Sequence, residues 1–408
     1  MTDAASWRAR ILNSVHDMPA DGWNALANPE ARAHHPFVRH EFLAALEDSG
    51  SVGRDAGWQP FHLAIEPDKD DTESPLGVVP LYLKSHSQGE YVFDYGWADA
   101  LHRAGGSYYP KLQCSIPFTP ATGPRLLVGD PDPQREAAVL DALRQVADEV
   151  GVSSLHITFM DKDLWQRAGA HGYLQRMDQQ FHWHNADYGC FDDFLGELAS
   201  KKRKNLRRER RDATANAIDI EWVTGSDLTE AHWDAFYRFY LDTGSRKWGS
   251  PYLNREFFSR ISESMAEDIL LILCKRDGRY VAGALNFIGG DTLYGRNWGC
   301  TEHHPFLHFE TCYYQAIDFA IERGLKRVEA GAQGSHKVAR GYLPEATYSA
   351  HWIGDARFRA AVEAYLERER EHVSDDIAYV EEHTPFRAGV DLDQLRTAAA
   401  QVSGDSES

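Results

Sequence analysis

The chain has 408 residues, beyond the ~250 to 300 at which a single hydrophobic core usually stops growing, so two domains are expected. Apolar residues make up 43% and charged residues 26%, with 11 Trp, 18 Tyr and 19 Phe, a supply of core material that excludes disorder for most of the chain. Lys and Arg number 43 against 62 Asp and Glu, and the net charge of −19 repels polyanions, so any phosphate or nucleic-acid site must be local.

The N-terminus MTDAASWRAR has no apolar run of the signal-peptide kind, and no segment approaches ~18 consecutive apolar residues, so a soluble cytoplasmic protein is expected. From residue 61 the segments FHLAIE, LGVVPLYLK and EYVFDYGW (90–97) read as three successive strands, rich in β-formers and separated by turn or charged residues. A helix at 133–150 follows and leads through Gly151 into the strand SLHITFM. The segment FDDFLGELASKKRKNLRRERRDA (191–213) places Phe191, Leu195, Leu198 and Leu206 mostly at three- and four-residue spacing, which predicts one amphipathic helix. Its end is basic: Lys201 to Arg211 holds eight basic residues and one acid, a local charge of +7.

The second half repeats the pattern. LLILCKRDG, RYVAGALNFIGG and DTLYGRNWG (270–299) read as a second three-strand meander, followed by a helix at 307–323, Gly324 and a strand at 326–331. Meander, helix and strand, repeated twice, predict two mixed α/β domains of one ancestry, with boundaries at 1–190 and 191–385 and a flexible acidic tail at 386–408. The five cysteines are scattered without a CxxC pair, which argues for reduced thiols. His304 and His308 have i, i+4 spacing, but Pro305 breaks a helix between them and no acidic ligand is placed, so no metal site is assigned. GxSxG, GxGxxG and GxxxxGK[ST] are all absent.

Candidate chemistry gathers in the second half. In the 307–323 helix, Phe309, Tyr313, Ala316 and Ala320 form the core stripe and Glu310 lies at its edge, where a half-buried carboxylate can accept a proton from an ammonium. A first-turn Glu also simply favours the helix dipole. The turn QGSHKVARG (333–341) crowds Gln333, His336, Lys337 and Arg340 between glycines, which suits an anion or a developing oxyanion. Glu310 and His336 are the competing bases. Lys337, Arg340 and Gln333 are candidate anion holders, and Tyr294, Arg296, Trp298, His308 and Tyr314 are candidate substrate contacts. Lys201, Lys202, Arg203, Lys204 and Arg207 are candidate phosphate contacts, since phosphates relieve the self-repulsion of that segment.

The segments YYPKLQCSIPFTPATGPRLL (108–127), SKKRKNLRRERR, LYGRNWGC, LHFETCYYQAI and GAQGSHKVARGYLPEATYSAHW resemble the FemAB-like predicted N-acyltransferases of the peptidoglycan biosynthesis or recognition family. That resemblance implies two tandem Gcn5-related acetyltransferase (GNAT) folds, each a mixed, mostly antiparallel sheet flanked by helices. More distantly, HFETCYYQ with the later GAQGSHK is similar to the C-terminal unit of leucyl/phenylalanyl-tRNA protein transferases and the Fem aminoacyltransferases. PFTPATGPRLL stands where an ordinary GNAT enzyme carries its pyrophosphate loop.

The implied activity is direct N-acyl transfer from an activated ester to an amine on a small molecule, a peptide or a peptidoglycan precursor. No tightly bound cofactor is expected; acyl-CoA or aminoacyl-tRNA would be the donor substrate, with tRNA bound through the basic helix. A coenzyme A dependent acetyltransferase and a non-catalytic binding module for peptidoglycan precursor or RNA are the alternatives.

Overall fold

The computed structural model describes residues 7–67, 75–247, 251–331 and 334–401. The chain divides into two compact units, Met1–Asp178 with Ala346–Ser374, and Gln179–Glu345 with Asp375–Ser408. The division therefore falls twelve residues before the expected 190, and the chain returns to the first unit after 345.

In chain order the first half runs β1 (Trp7–Leu12), α1 (Ala20–Ala27), α2 (His40–Asp48), β2 (Trp58–Pro60), β3 (His62–Pro67), β4 (Gly77–Val79) and β5 (Leu81–Lys84). It continues α3 (Tyr95–Arg103), β6 (Lys111–Cys114), α4 (Pro133–Val150), β7 (Ser154–Met160), α5 (Lys162–Ala170) and β8 (Leu174–His184). The second half runs α6 (Phe191–Glu197), α7 (Ser200–Ala213), β9 (Ile218–Thr224), α8 (Glu230–Lys247), α9 (Arg255–Met265), β10 (Ile269–Arg276), β11 (Arg279–Ile288) and β12 (Thr292–Cys300). After α10 (Leu307–Phe309) come a π-turn (Glu310–Tyr314), α11 (Gln315–Glu322), β13 (Arg327–Glu329), a 3₁₀ turn (Ser335–Arg340), β14 (Leu343–Ile353), α12 (Ala356–Glu382) and α13 (Leu392–Gln401). None of the helices among the described residues is long and apolar enough to cross a membrane.

Both units are built alike. In the first, β1, β3 and β4 pair antiparallel, as do β2, β5 and β6; β6 then pairs parallel with β7, and β7 antiparallel with the end of β14. In the second, β9, β10, β11 and β12 pair antiparallel in sequence, β12 pairs parallel with β13, and β13 antiparallel with the end of β8. Since β2/β3 and β4/β5 are single strands interrupted at Phe61 and Pro80, the strand order is the same in the two units. A parallel pair needs a crossover, and α4 and α11 supply it. Asp132 caps α4 by accepting from the Gln134 and Arg135 amides, and Gly151 closes it at φ 72°, in the left-handed region that favours glycine. Each helix buries its apolar stripe on its own sheet: Leu140, Leu143 and Ala147 on Leu112, Leu155 and Ile157, and Ala316, Ile317 and Ala320 with Leu270, Ile272, Leu293 and Val328.

Three expectations are corrected. The strand expected at 90–97 is a loop entering α3, and the third strand is Lys111–Cys114 instead. The reason is a buried charge cluster. Lys111 Nζ lies 2.6 Å from Asp94 and 3.3 Å from Glu90, and Lys84 Nζ lies 3.4 Å from Glu90, all four side chains being buried. The 90–94 segment bends to deliver those carboxylates, which leaves Phe93 and Tyr95 exposed.

The single helix expected at 191–213 is two. Leu198 and Ala199 take extended backbone, and Ala199 N–H donates to Pro385 O while Arg387 N–H donates to Glu197 O. Those outside partners replace intrahelical bonds and break the helix. The same hydrogen bonds tie down the start of the expected tail, and α13 continues it to Gln401.

Candidate functional site

In the second unit β12 and β13 pair only through Thr292–Tyr294 and Arg327–Glu329, after which β12 runs on to Cys300 while β13 ends and turns. Trp298 and Cys300 on β12, the loop residues Glu302, His303 and His304, Leu307 and His308 on α10, and Thr243 on α8 line a cleft of about 310 Å³. The His308 ring lies 5.3 Å from the Trp298 ring and 6.1 Å from the His336 ring. The Tyr313 hydroxyl lies 2.8 Å from His336 Nε2, and its ring lies 5.7 Å from the same imidazole. Burial raises the pKa of Tyr313, which keeps its phenol protonated at neutral pH. Trp298, His308, Tyr313 and the exposed His336 thus run as one aromatic line from the cleft to the turn after β13.

The π-turn changes the faces of the following helix. Residues 310 and 318 would stand about 80° apart on a regular α-helix, but the extra residue of a π-turn brings them to within about 20°. Both therefore meet Arg210 of α7: its Nη2 lies 2.9 Å from Glu310 and 2.5 Å from Asp318. Gln315 also donates to Glu310 at 2.8 Å. Burial raises the Glu310 pKa, with Arg210 opposing that rise. Asp318 thereby shares the Arg210 guanidinium with Glu310. Arg210 and Gln315 hold Glu310 while Tyr313 bonds His336, so the two expected bases belong to different networks. Tyr314 also faces α7, its hydroxyl 2.5 Å from Glu209.

A bulge separates the residues of β12. Gly295 faces Asn286 and Asn297 faces Leu285, so the register slips at Arg296 and the alternation of faces reverses beyond it. Trp298 lands on the core face with Leu293, while Tyr294 is buried on the other face beside Glu329 and Arg296 is half-exposed. Of the three, only Trp298 lines the cleft.

The turn residues also differ from expectation. A 3₁₀ turn repeats every three residues, so Lys337 and Arg340 share its inward face. Lys337 is fully buried and donates to Gly331 O at 2.7 Å, and burial pulls its pKa down to about 8. Arg340 donates to His336 O at 2.7 Å and to Glu209 at 2.9 Å, and its guanidinium lies 3.4 Å from the Phe309 ring centre. These two cations stiffen the turn rather than face an incoming anion. Gly341 ends the turn at φ 84°, where a Cβ would stand 2.5 Å from Phe194. Gln333 lies outside the described residues. Glu209 and Tyr313 do not stand out as site residues in the sequence; the three-residue periodicity of a 3₁₀ turn is the signal that points Arg340 inward toward an acid.

On α7, Lys201, Lys202, Lys204 and Arg207 are exposed and Arg203 is half-buried; Arg207 pairs with Asp192 at 2.9 Å.

In the first unit the matching opening between β6 and β7 is filled by its own chain. Residues 115–121 are buried, and Arg125, with no exposed surface, donates to Thr158 O at 2.8 Å and to Ala121 O at 2.6 Å. Gly123 N–H donates to Phe159 O at 3.0 Å. The PFTPATGPR segment thus occupies the β7 carbonyls that a ligand in that opening would meet.

The fold and sequence both have relatives. The crystal structure of FemX is similar with a TM-score of 0.53 at 13% identity, covering 85% of this chain and 98% of that chain, a likeness of fold. The structure of L-PGS from Bacillus licheniformis gives a TM-score of 0.49 at 10% identity over 82% of this chain and 96% of that one. A tandem GNAT protein from the clavulanic acid biosynthesis pathway gives 0.42 at 13% identity over 86% and 100%. No curated protein matches the sequence. The family model for FemAB-like proteins, described as peptidoglycan biosynthesis/recognition, matches residues 14–388. With that match spanning both GNAT-like units, the chain belongs to the FemAB-like family.

Proposed function

We propose that the chain is an N-acyltransferase that moves an acyl or aminoacyl group from an activated ester to an amine, with its reacting centre in the second unit. The observation that carries this reading is the contrast between the two strand openings. The first is filled by Arg125 and its loop, whereas the second opens beside a cleft that leads along Trp298 and His308 to the His336–Tyr313 pair. An amine acceptor in the cleft, whether a small molecule, a peptide or a peptidoglycan precursor, attacks the ester carbonyl. A C–N bond forms, the ester C–O or C–S bond breaks, and the proton lost by the amine passes to His336 and on to the leaving group. Imidazole suits this step because its ordinary protonation range spans neutral pH. Tyr313 holds the ring, and positioning supplies much of the rate. Glu310, spent on Arg210, anchors α7 in this scheme.

The donor, aminoacyl-tRNA or acyl-CoA, places its phosphates on the exposed face of α7. The test is the salt dependence of tRNA and of coenzyme A binding. Changing Lys201, Lys202, Arg203 and Lys204 to Ala is expected to reduce the slope of log K against log salt by roughly one unit for each phosphate that is no longer neutralised. An unchanged slope for both probes makes α7 only a solvated face. The engagement of Glu310 by Arg210 favours a second reading, a module that binds peptidoglycan precursor or RNA without transfer.

A further inference from the structure

Helix α7 has two faces with different partners. Lys201, Lys202, Lys204, Arg207, Arg208 and Arg211 are exposed on the outer one. On the inner one Leu206 is buried, Arg210 grips Glu310 and Asp318, and Glu209 grips Tyr314 and Arg340. Glu209 Oε2 accepts from the Tyr314 hydroxyl at 2.5 Å and from Arg340 Nη2 at 2.9 Å, and Arg340 Nη1 donates to the His336 carbonyl at 2.7 Å. Two side chains therefore span the distance from a basic helix to the backbone of the residue at the end of the cleft.

The remaining geometry makes this connection mechanical. At 14 residues, nearly four turns, α7 is a stiff unit, and it is joined to α6 by the extended pair Leu198–Ala199, where helical bonding is interrupted. Arg340 lies between Glu209 and the Phe309 ring, so the turn that carries His336 is tied to α7 through Glu209. Glu209 is thus the carboxylate that links α7 to Arg340 and, through it, to the His336 carbonyl.

We propose that Glu209 is a positioning residue that couples docking of a phosphate-bearing polyanion on the outer face of α7 to the placement of His336. This rests on the reading that α7 receives donor phosphates and that His336 is at the reacting centre. It adds a regulation of that site: the centre is set only when the donor is seated. Coupling of this kind is reciprocal, so fixing the turn also tightens donor binding.

The full-length protein labelled with ¹³C at histidine Cε1 provides the test, with the His336 resonance assigned by its loss in His336→Gln. Deacylated tRNA and coenzyme A are titrated separately, which distinguishes the two sources of phosphate. The expected result is that one probe shifts the His336 resonance at saturation in the parent. In Glu209→Ala that shift is expected to vanish, while affinity falls by no more than about tenfold, the range of a modest coupling energy. Unmoved resonances of the other histidines report an intact fold. Should Glu209→Ala not fold, Glu209→Gln, which keeps an acceptor oxygen but no charge, is expected to lose more than half of the shift. A full shift in either folded variant overturns the proposal, as does a parent whose His336 resonance stays still with probe bound. A parent that binds neither probe removes the polyanion reading itself, and the binding isotherm shows that outcome separately.

Discussion

Replacing His336 with alanine is expected to lower turnover by about 10² to 10⁴, the usual contribution of a positioned proton acceptor, with little change in donor affinity. Phe in place of Tyr313 removes the bond to Nε2 but leaves the imidazole, so about a tenfold loss in turnover is expected. Glu310→Gln is expected to keep turnover within about tenfold, because its carboxylate is already committed to Arg210 and Asp318 still holds that guanidinium. Steady-state kinetics on variants whose thermal melts match the parent decide between the two candidate bases. A His336→Ala variant within about threefold of the parent places the chemistry elsewhere or leaves it to positioning alone.

The largest stability effects are expected in the first unit. Asp94→Ala leaves Lys111 buried without its nearest anion, and about 3 to 5 kcal/mol of destabilisation follows. Burial alone raises the Asp94 carboxyl, but Lys111 and His156 outweigh it and hold its pKa well below the usual carboxylate range. Its contribution is therefore present above the unfolded value of about 3.9 and is lost as pH falls through the folded value.

His156 acts at a higher pH. Its ring lies 2.7 Å from His351 across the β7–β14 pair, and burial, with Lys111 adding to it, pulls its pKa down to about 3. Tyr108, Ser154, Asp94, Lys111 and Arg176 are the other groups that act on it. The unfolded chain takes up the proton near pH 6.5 and the folded one resists it, so this contribution is full above 6.5 and falls as pH drops toward 3. Between pH 7 and 5 it amounts to about 2 kcal/mol. Urea denaturation of the parent and of His156→Gln at those two pH values measures it; equal pH dependence in both contradicts the assignment.

The repeated fold was legible because its signals are local. Alternating β-formers, the Gly151 and Gly324 caps and the order of elements each depend on neighbours in sequence, and the two copies reinforce one another. What was not legible depends on long-range partners or on one-residue irregularities. The EYVFDYGW segment carries good strand formers, but Lys84 and Lys111 claim its carboxylates from distant positions. The bulge at Arg296 and the π-turn at Glu310–Tyr314 each insert a single residue, and each rotates every later side chain to a new face. A strict period of two therefore puts Tyr294 and Trp298 on one face, and a strict period of 3.6 puts Glu310 and Asp318 on different ones, where the structure does the reverse. At the turn, His336, Lys337 and Arg340 were found by their density, while their directions followed from a 3₁₀ period that composition alone does not specify.

Transfer itself is the most direct measurement. The purified chain is incubated with a labelled aminoacyl-tRNA mixture or with labelled acetyl-CoA, together with amine acceptors that include a peptidoglycan precursor. The label is then followed from base-labile ester or thioester into a base-stable amide. Amide formation with one donor class is expected in the parent, and its loss in His336→Ala with donor binding retained. Donor bound by the parent with no base-stable product from either class would contradict an acyltransferase and leave a binding module.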